Sequence, residues 1–296
     1  MAHLICPDVS EFQRPLDHTY GRDFIIFRVT FGANYLDPHF LANANAVKRL
    51  HDQGKVAGVL LYTVYTSSPV KAQFDAVWKA IGPKVPSWLT GIMLDVETWR
   101  GKSYELSGNH SKRINQLYGL HAHRMRSWQS VIAYGNAGDL AELYPGRDRR
   151  CRVIVASYGP QLTYKKVRGA IGQQYSDGQP KWRVPRLGGK ALPRASTPFG
   201  PCDHNVFPGL PDAKALIKLL RPTQLAHAAS HPKPPVVTLA KPAVKPKVAA
   251  PAPHYNVKRG NSLVSADGAH ALFLKDDGTL EIRHNGAHEG TVLKGA

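Results

Sequence analysis

The sequence predicts an α/β fold: a (β/α) barrel over residues 1–221, a Pro-rich linker over 222–254 and a small all-β module over 255–296. Three observations carry this reading. Up to about residue 220, eight short apolar segments alternate with amphipathic ones, the pattern of strands joined by helical crossovers. Residues 222–254 hold eight prolines and no acid, which reads as an extended, semi-rigid spacer. The last stretch places Gly and Asp turns between short β-like runs. A doubly wound open sheet is the competing fold, but no GxGxxG or P-loop follows any strand.

The strands follow in order. LICPDVS at 4–10 is apolar up to an aspartate. FIIFRVTFG at 24–32, VAGVLLYTVY at 56–65 and GIMLDVET at 91–98 are nearly continuous hydrophobic runs, as expected of strands covered on both faces. SVIAYGN at 130–136, RVIVASYG at 152–159, AIGQQYSD at 170–177 and CDHNVF at 202–207 complete the eight. Helices are predicted at about 38–53, 69–81, 110–128 and 211–220. In the third, Ile114, Leu117, Tyr118, Met125 and Trp128 share one face at helical spacing, which is a core face. The last strands lack long helices between them, and roughly 210 residues is at the short end for such a barrel.

Composition narrows the partners. A net charge of +18 on 296 residues, with a pI near 9.9, implies an anionic partner: nucleic acid, anionic lipid or a bacterial wall with phosphate polymers. Nucleic-acid binding rests on charge alone, because no recognisable nucleic-acid module is present. Cys6, Cys151 and Cys202 are odd in number and widely spaced, so the expectation is a chain that folds in a reducing cytoplasm. MAHLICPDVS lacks a basic start followed by a long apolar core, so no signal peptide is expected. No apolar run approaches ~18 residues, so no membrane span is expected either.

The chemistry concentrates in GIMLDVETW at 91–99. Alternation along a strand puts Asp95 and Glu97 on one face, at the end of a segment apolar enough to be buried. Like charges that close repel, and burial adds a desolvation cost, so a core strand carries such a pair only for use. Barrel enzymes keep their chemistry at the C-terminal strand ends. Asp8 stands there on the first strand, Tyr62 on the third, Asp95 and Glu97 on the fourth, Tyr134 on the fifth and Tyr158 on the sixth, while Asp203 begins the last. Four carboxylates and three tyrosines at one mouth are the profile of a sugar cleft: acids for the glycosidic bond, aromatic faces for pyranose rings.

Other constellations are weaker. His121 and His123 of LHAHRM sit two apart on a helix, which does not bring them to one metal, and a solvated face is expected. CDH at 202–204 has no second ligand cluster, and no GxSxG elbow is present. The stretch GQPKWRVPRLGGKALPRASTPFGP at 178–201 has five Lys or Arg and no acid. Phosphate binding and an ordinary solvated loop are both open for it.

These motifs also resemble a known family. DVSEFQ at 8–13 resembles the Asp-x-Ser-x-x-Gln opening of the glycoside hydrolase family 25 muramidases. FIIFRVTFGANYLDPHFLANANAVKRLHDQGKVAGVLLYTVY at 24–65 is similar to their second and third strands, and LDVET at 94–98 to their Asp-x-Glu strand. QQYSDG at 173–178 and CDHNVF resemble their closing segments. The resemblance spans about residues 4–220 and implies a flattened, irregular TIM-like barrel that needs no cofactor and no metal. The implied reaction is lysozyme cleavage of the β-1,4 bond after N-acetylmuramic acid in peptidoglycan. Carried over, Glu97 matches the general acid, Asp95 the partner that orients the substrate acetamido group, and Asp8 and Asp203 supporting carboxylates. Gln174 and Tyr175 of the closing segment join Tyr62, Tyr134 and Tyr158 as substrate-binding residues. The basic insert before Asp203 is a departure from the family pattern.

The segment LVSADGAHALFLKDDGTLEIRHNG at 263–286 resembles one strand unit of the bulb-type mannose-binding lectins, of whose pocket motif only Asp277 remains. A muramidase barrel joined by a Pro-rich linker to a small β module resembles a bacteriophage endolysin. That implies synthesis in the host cytoplasm, holin-dependent release to the wall, and peptidoglycan with anionic wall polymers as partners. Oligomeric state stays open, with the module as the candidate contact. The rival reading is a non-catalytic wall-glycan binder on a degenerate barrel, against which stands the presence of every acid.

Overall fold

The computed structural model describes residues 3–221 and, beyond them, the strands Ser262–Val264, His270–Leu274, Leu280–His284 and Ala287–Leu293. The predicted linker lies outside the described residues, as do the turns of the predicted module. The chain divides into two compact units, Met1–Val236 and Val237–Ala296.

Eight strands build the barrel of the first unit: β1 (Leu4–Val9), β2 (Phe24–Phe31), β3 (Gly58–Val64), β4 (Leu89–Asp95), β5 (Val131–Asn136), β6 (Arg152–Ala156), β7 (Ala170–Ser176) and β8 (Asp203–Phe207). Strands β1 to β7 pair in sequence order and in parallel. Strand β8 closes the ring between β7 and β1, antiparallel to both. The result is the TIM-like barrel expected, with its last strand reversed. Parallel neighbours need a crossover of a dozen or more residues, usually helical, whereas antiparallel neighbours can be joined on one end of the sheet. The insert between β7 and β8 contains no helix, so β8 returns from the same end at which β7 leaves. This reversal brings Asp203, the first residue of β8, opposite Asp8, near the end of β1.

Strand alternation sorts the side chains into two apolar layers. Leu4, Cys6, Phe24, Ile26, Leu60, Met93, Ile132, Ile154 and Phe207 fill the barrel. Their neighbours Ile25, Phe27, Leu61, Ile92, Leu94, Val131 and Val153 face outward, under the helices. Helices α1 (Phe40–Asp52), α2 (Val70–Ile81), α3 (Ser111–Met125), α4 (Ala137–Leu143) and α5 (Ala213–Leu220) complete the unit. Helix α5 packs Ala213, Leu216 and Leu220 against the interior layer at the N-terminal end of the strands. Its last carbonyl, Leu220, accepts the hydroxyls of Ser127 and Ser130 at 3.2 and 2.9 Å. Gly58 permits this approach: a Cβ there would lie 2.3 Å from Thr90 Oγ1 and 3.0 Å from Ile217 Cδ1.

Three helical expectations are corrected. Helix α3 stops at Met125 because Arg126 takes a left-handed φ of 55°. Trp128 therefore lies beyond the helix, its ring 5.5 Å from Tyr118 and capped by the Arg150 guanidinium at 3.7 Å. His121 is fully buried rather than solvated, its Nδ1 accepting the Trp78 indole N–H at 3.1 Å; burial pushes its pKa down to about 3, so it is neutral. Position 121 completes the apolar stripe through 114, 117, 118 and 125. Helix α4 was not anticipated; its cap is Asn136, whose side chain accepts the Asp139 N–H at 2.8 Å.

In the second unit the four strands pair in chain order as an antiparallel meander, consistent with a small all-β module. Among the described residues no helix is long and apolar enough to cross a membrane.

Candidate active site

The C-terminal ends of β1–β7 and the start of β8 form the mouth. Asp8 and Asp203 face each other in register, and Asp8 also stands beside Ile26 of β2. Asp95 ends β4 next to Tyr134 of β5, with Glu97 two residues further on. The inward side of β3 brings Tyr62 to this level, where Asp8, Arg28 and Asp95 all act on its phenol. The four carboxylates thus converge, and Asp8, Asp95, Glu97, Asp203, Tyr62 and Tyr134 share one mouth.

Gln174 of β7 is its hub. The Gln174 Oε1 accepts both the Tyr134 and Tyr158 hydroxyls, at 2.7 and 2.8 Å, and its Nε2 donates to Asp8 Oδ2 at 3.3 Å. Tyr175, expected beside it in substrate binding, is corrected. Adjacent strand residues point to opposite faces, so Tyr175 is buried on the outer side, donating to Pro193 O at 2.8 Å and packed with Leu192 and Val206.

Burial makes ionisation costly throughout this cluster. It lifts Asp8 to about 7, against the amides of Asn205 and Gln174 and the Arg28 charge, which favour the carboxylate. Glu97 is also raised to about 7, first by burial, then by the charges of Asp139 and Asp8. Asp95 is raised well above the usual range by burial, then by Glu97 and Asp8, with Arg28 opposing. Asp203 follows, through burial and then Asp8, Asp177 and Glu97. Such a group shares protons near neutrality rather than ionising one residue at a time. Asp95 Oδ1 is buried and has no partner among the described residues.

Several contributors were missed in the sequence. Arg28, on an apolar strand, is ion-paired with Asp37 at 2.8 Å and with Glu11, and is the cation acting on Asp8 and Asp95. Its signal was a lone arginine inside FIIFRVTF. Asp139 of α4 accepts from Thr98 Oγ1 at 2.9 Å and Asn136 Nδ2 at 2.7 Å; the Asn-x-x-Asp spacing of a capped helix start could have found it. One rim carries Phe31, Trp99 and Tyr104, with centroids 4.7 to 5.8 Å apart. The other carries Trp182 of the insert, 5.8 Å from Tyr158.

No protein-family model matches the chain. It is 30% identical over 216 residues, 71% of either chain, to the uncharacterized protein Rv3766 of Mycobacterium tuberculosis. Among solved structures it resembles the bacterial lysozyme of Streptomyces coelicolor, with a TM-score of 0.55 and 21% identity over 75% of this chain and 99% of that one. A family 25 glycosyl hydrolase of Bacillus anthracis gives 0.55 and 16% over 73% and 93%. The muramidase of Acremonium alcalophilum gives 0.50 and 16% over 74% and 100%. The chain belongs to the family of the mycobacterial protein Rv3766, and its fold is that of the family 25 lysozymes.

Proposed function

We propose that the protein is a peptidoglycan hydrolase, an N-acetylmuramidase that cleaves the β-1,4 bond between N-acetylmuramic acid and N-acetylglucosamine. The observation that carries this is Glu97 itself: a carboxyl raised to about 7 among three further acids stays about half protonated at neutral pH and can deliver that proton to a leaving oxygen. The fold, shared with proteins described as lysozymes and a muramidase, supports the same reading.

Glu97 protonates the glycosidic oxygen as the bond from that oxygen to the anomeric carbon breaks. Asp95 ends β4 only two residues before Glu97, too close to stand across the sugar from it, which favours attack by the substrate's own C2 acetamido oxygen. The unpartnered Oδ1 of Asp95 is the acceptor for that acetamido N–H. Arg28 partly offsets the burial that raises Asp95 and Asp8, and the cluster shares the proton that Glu97 delivers. The Glu97 carboxylate then takes a proton from water, which opens the cyclic intermediate from the face the leaving group left, so configuration is retained. Asp8 and Asp203 support the charge pattern. Tyr62, Tyr134, Tyr158 and Gln174 shape the sugar site. Peptidoglycan with its anionic polymers is the partner, and wall lysis after release from a host cytoplasm is the biological role this reading carries.

Glu97→Gln keeps shape and removes the proton donor, so it is expected to fold and lose nearly all clearing of purified walls. Mass analysis of wild-type products is expected to find new muramic acid reducing ends. New free amino groups would instead indicate an amidase or peptidase. Walls bound but never cleared by the wild type would favour a non-catalytic glycan binder.

A further inference from the structure

The insert at 178–201 is not a solvated loop. Its base is packed: Val184, Leu187 and Leu192 lie against Tyr175 and Val206 of the barrel wall. Ser196 Oγ meets the buried imidazole of His204 at 2.8 Å and also accepts from Arg22 Nε at 3.2 Å. Two short antiparallel pairings, Arg186–Leu187 with Lys190–Ala191 and Ala195–Ser196 with Gly200–Pro201, stiffen it. Its tip differs: Lys181, Trp182, Arg183, Arg186 and Lys190 are exposed. A large indole is left 37% exposed on this well-anchored segment.

Trp182 is also aimed. Its indole N–H donates to Asp177 Oδ2 at 3.1 Å, and its carbonyl accepts from Arg194. Its ring centroid is 5.8 Å from that of Tyr158, the residue bonded to Gln174 and so to Asp8. Trp182 thus stands one side chain further out than Tyr158 along the rim, with Lys181 Nζ 5.5 Å from its ring. Resting on the muramidase reading, we propose that the insert adds a subsite to the cleft, in which Trp182 stacks on a sugar ring and Lys181 and Arg183 bind an anionic substituent of that strand. An indole face offers a flat apolar surface with its polar edge already satisfied, and the flanking cations select strands carrying carboxylate or phosphodiester groups. The two sources share one chemistry, and the probes separate them.

The full chain carrying Glu97→Gln binds strands without cutting them, so calorimetric titration reads affinity alone. Three probes serve: a neutral chitin tetramer, peptidoglycan strands with peptide carboxylates, and such strands still bearing a phosphodiester polymer. Adding Trp182→Ala is expected to weaken all three roughly tenfold, as loss of an aromatic platform does elsewhere, while Trp182→Tyr restores most of it. Adding Lys181→Glu with Arg183→Glu is expected to weaken only the anionic probes, less so at high salt; the probe that loses most identifies the anion. Unchanged affinity after Trp182→Ala, or equal loss on the neutral tetramer after the charge reversals, overturns the subsite and leaves the muramidase reading intact. A parent that binds none of the probes overturns both.

Discussion

Gln174 and Asp8 meet across 166 residues of sequence, the Gln174 amide N–H donating to Asp8 Oδ2 at 3.3 Å. The orientation of that amide is fixed by the other end. Two phenols, Tyr134 and Tyr158, donate to Oε1, so Nε2 has to turn toward Asp8. A neutral side chain thereby favours the charged form of an acid that burial opposes.

Replacing Gln174 with Met keeps the volume and removes all three bonds. Each buried hydroxyl left unpaired costs about 1–3 kcal/mol, so Tm is expected to fall by several degrees. Losing the N–H donor raises the Asp8 pKa, so any limb of the pH–rate profile set by Asp8 is expected to move to higher pH. An unchanged melting curve and profile would remove Gln174 from the centre of the site.

The alkaline limb of activity is expected near pH 7, where Glu97 gives up its proton. Asp139 is the foremost charged neighbour raising that value. Asp139→Asn removes the negative charge while keeping an oxygen for Thr98, so the Glu97 pKa falls and the limb moves to lower pH. The check is kcat/KM against pH for both proteins on solubilised strands.

Stability is expected to peak at mildly acidic pH. Glu97 and Asp8 titrate higher in the folded than in the unfolded chain, so their contribution is full below about pH 4 and is lost as pH rises through about 7. Neutral His121 and His204 are depressed to about 3 and 4, so theirs is present above about 6.5 and lost as pH falls. Between those windows the two losses offset each other. At about pH 8, Glu97→Gln is expected to raise Tm, since it replaces a buried charge with a neutral amide. A lowered Tm would show that this acid is not strained in the fold.

Helix α5 closes the barrel with Leu216 and Leu220, so Leu216→Ala is expected to destabilise by about 2–5 kcal/mol. Truncation after residue 221 is expected to fold and to cleave soluble strands, and truncation after 212 to fail. Binding of intact walls is expected to weaken on removal of the Lys-rich segment beyond 221, and less so at high salt. Denaturant melts and wall pull-downs measure these effects.

The strands and the Asp95–Glu97 pair were legible because they rest on period and polarity, which survive any tertiary arrangement. The direction of β8 was not, because CDHNVF reads the same whichever way it runs; only the absence of a helix before it hinted at reversal. Tyr175 was misplaced by taking two neighbours from one motif, where the strand period admits only one of them inward. Asp139 hid in a helix of seven residues, too short for a periodic signal. Arg28 went unnoticed because its partners, Glu11 and Asp37, come from separate loops.

Because β8 pairs with β1, the mouth is assembled from the two sequence ends of the barrel. Asp8 lies on the first strand of the barrel and Asp203 on its last, and neither has the other beside it until the ring shuts. Pairings of such long sequence separation form late and slowly. A barrel without its last strand keeps Asp139 and Asp8, the charges acting on Glu97, but lacks Asp203 opposite Asp8. The carboxylate cluster is therefore complete only when the last strand docks.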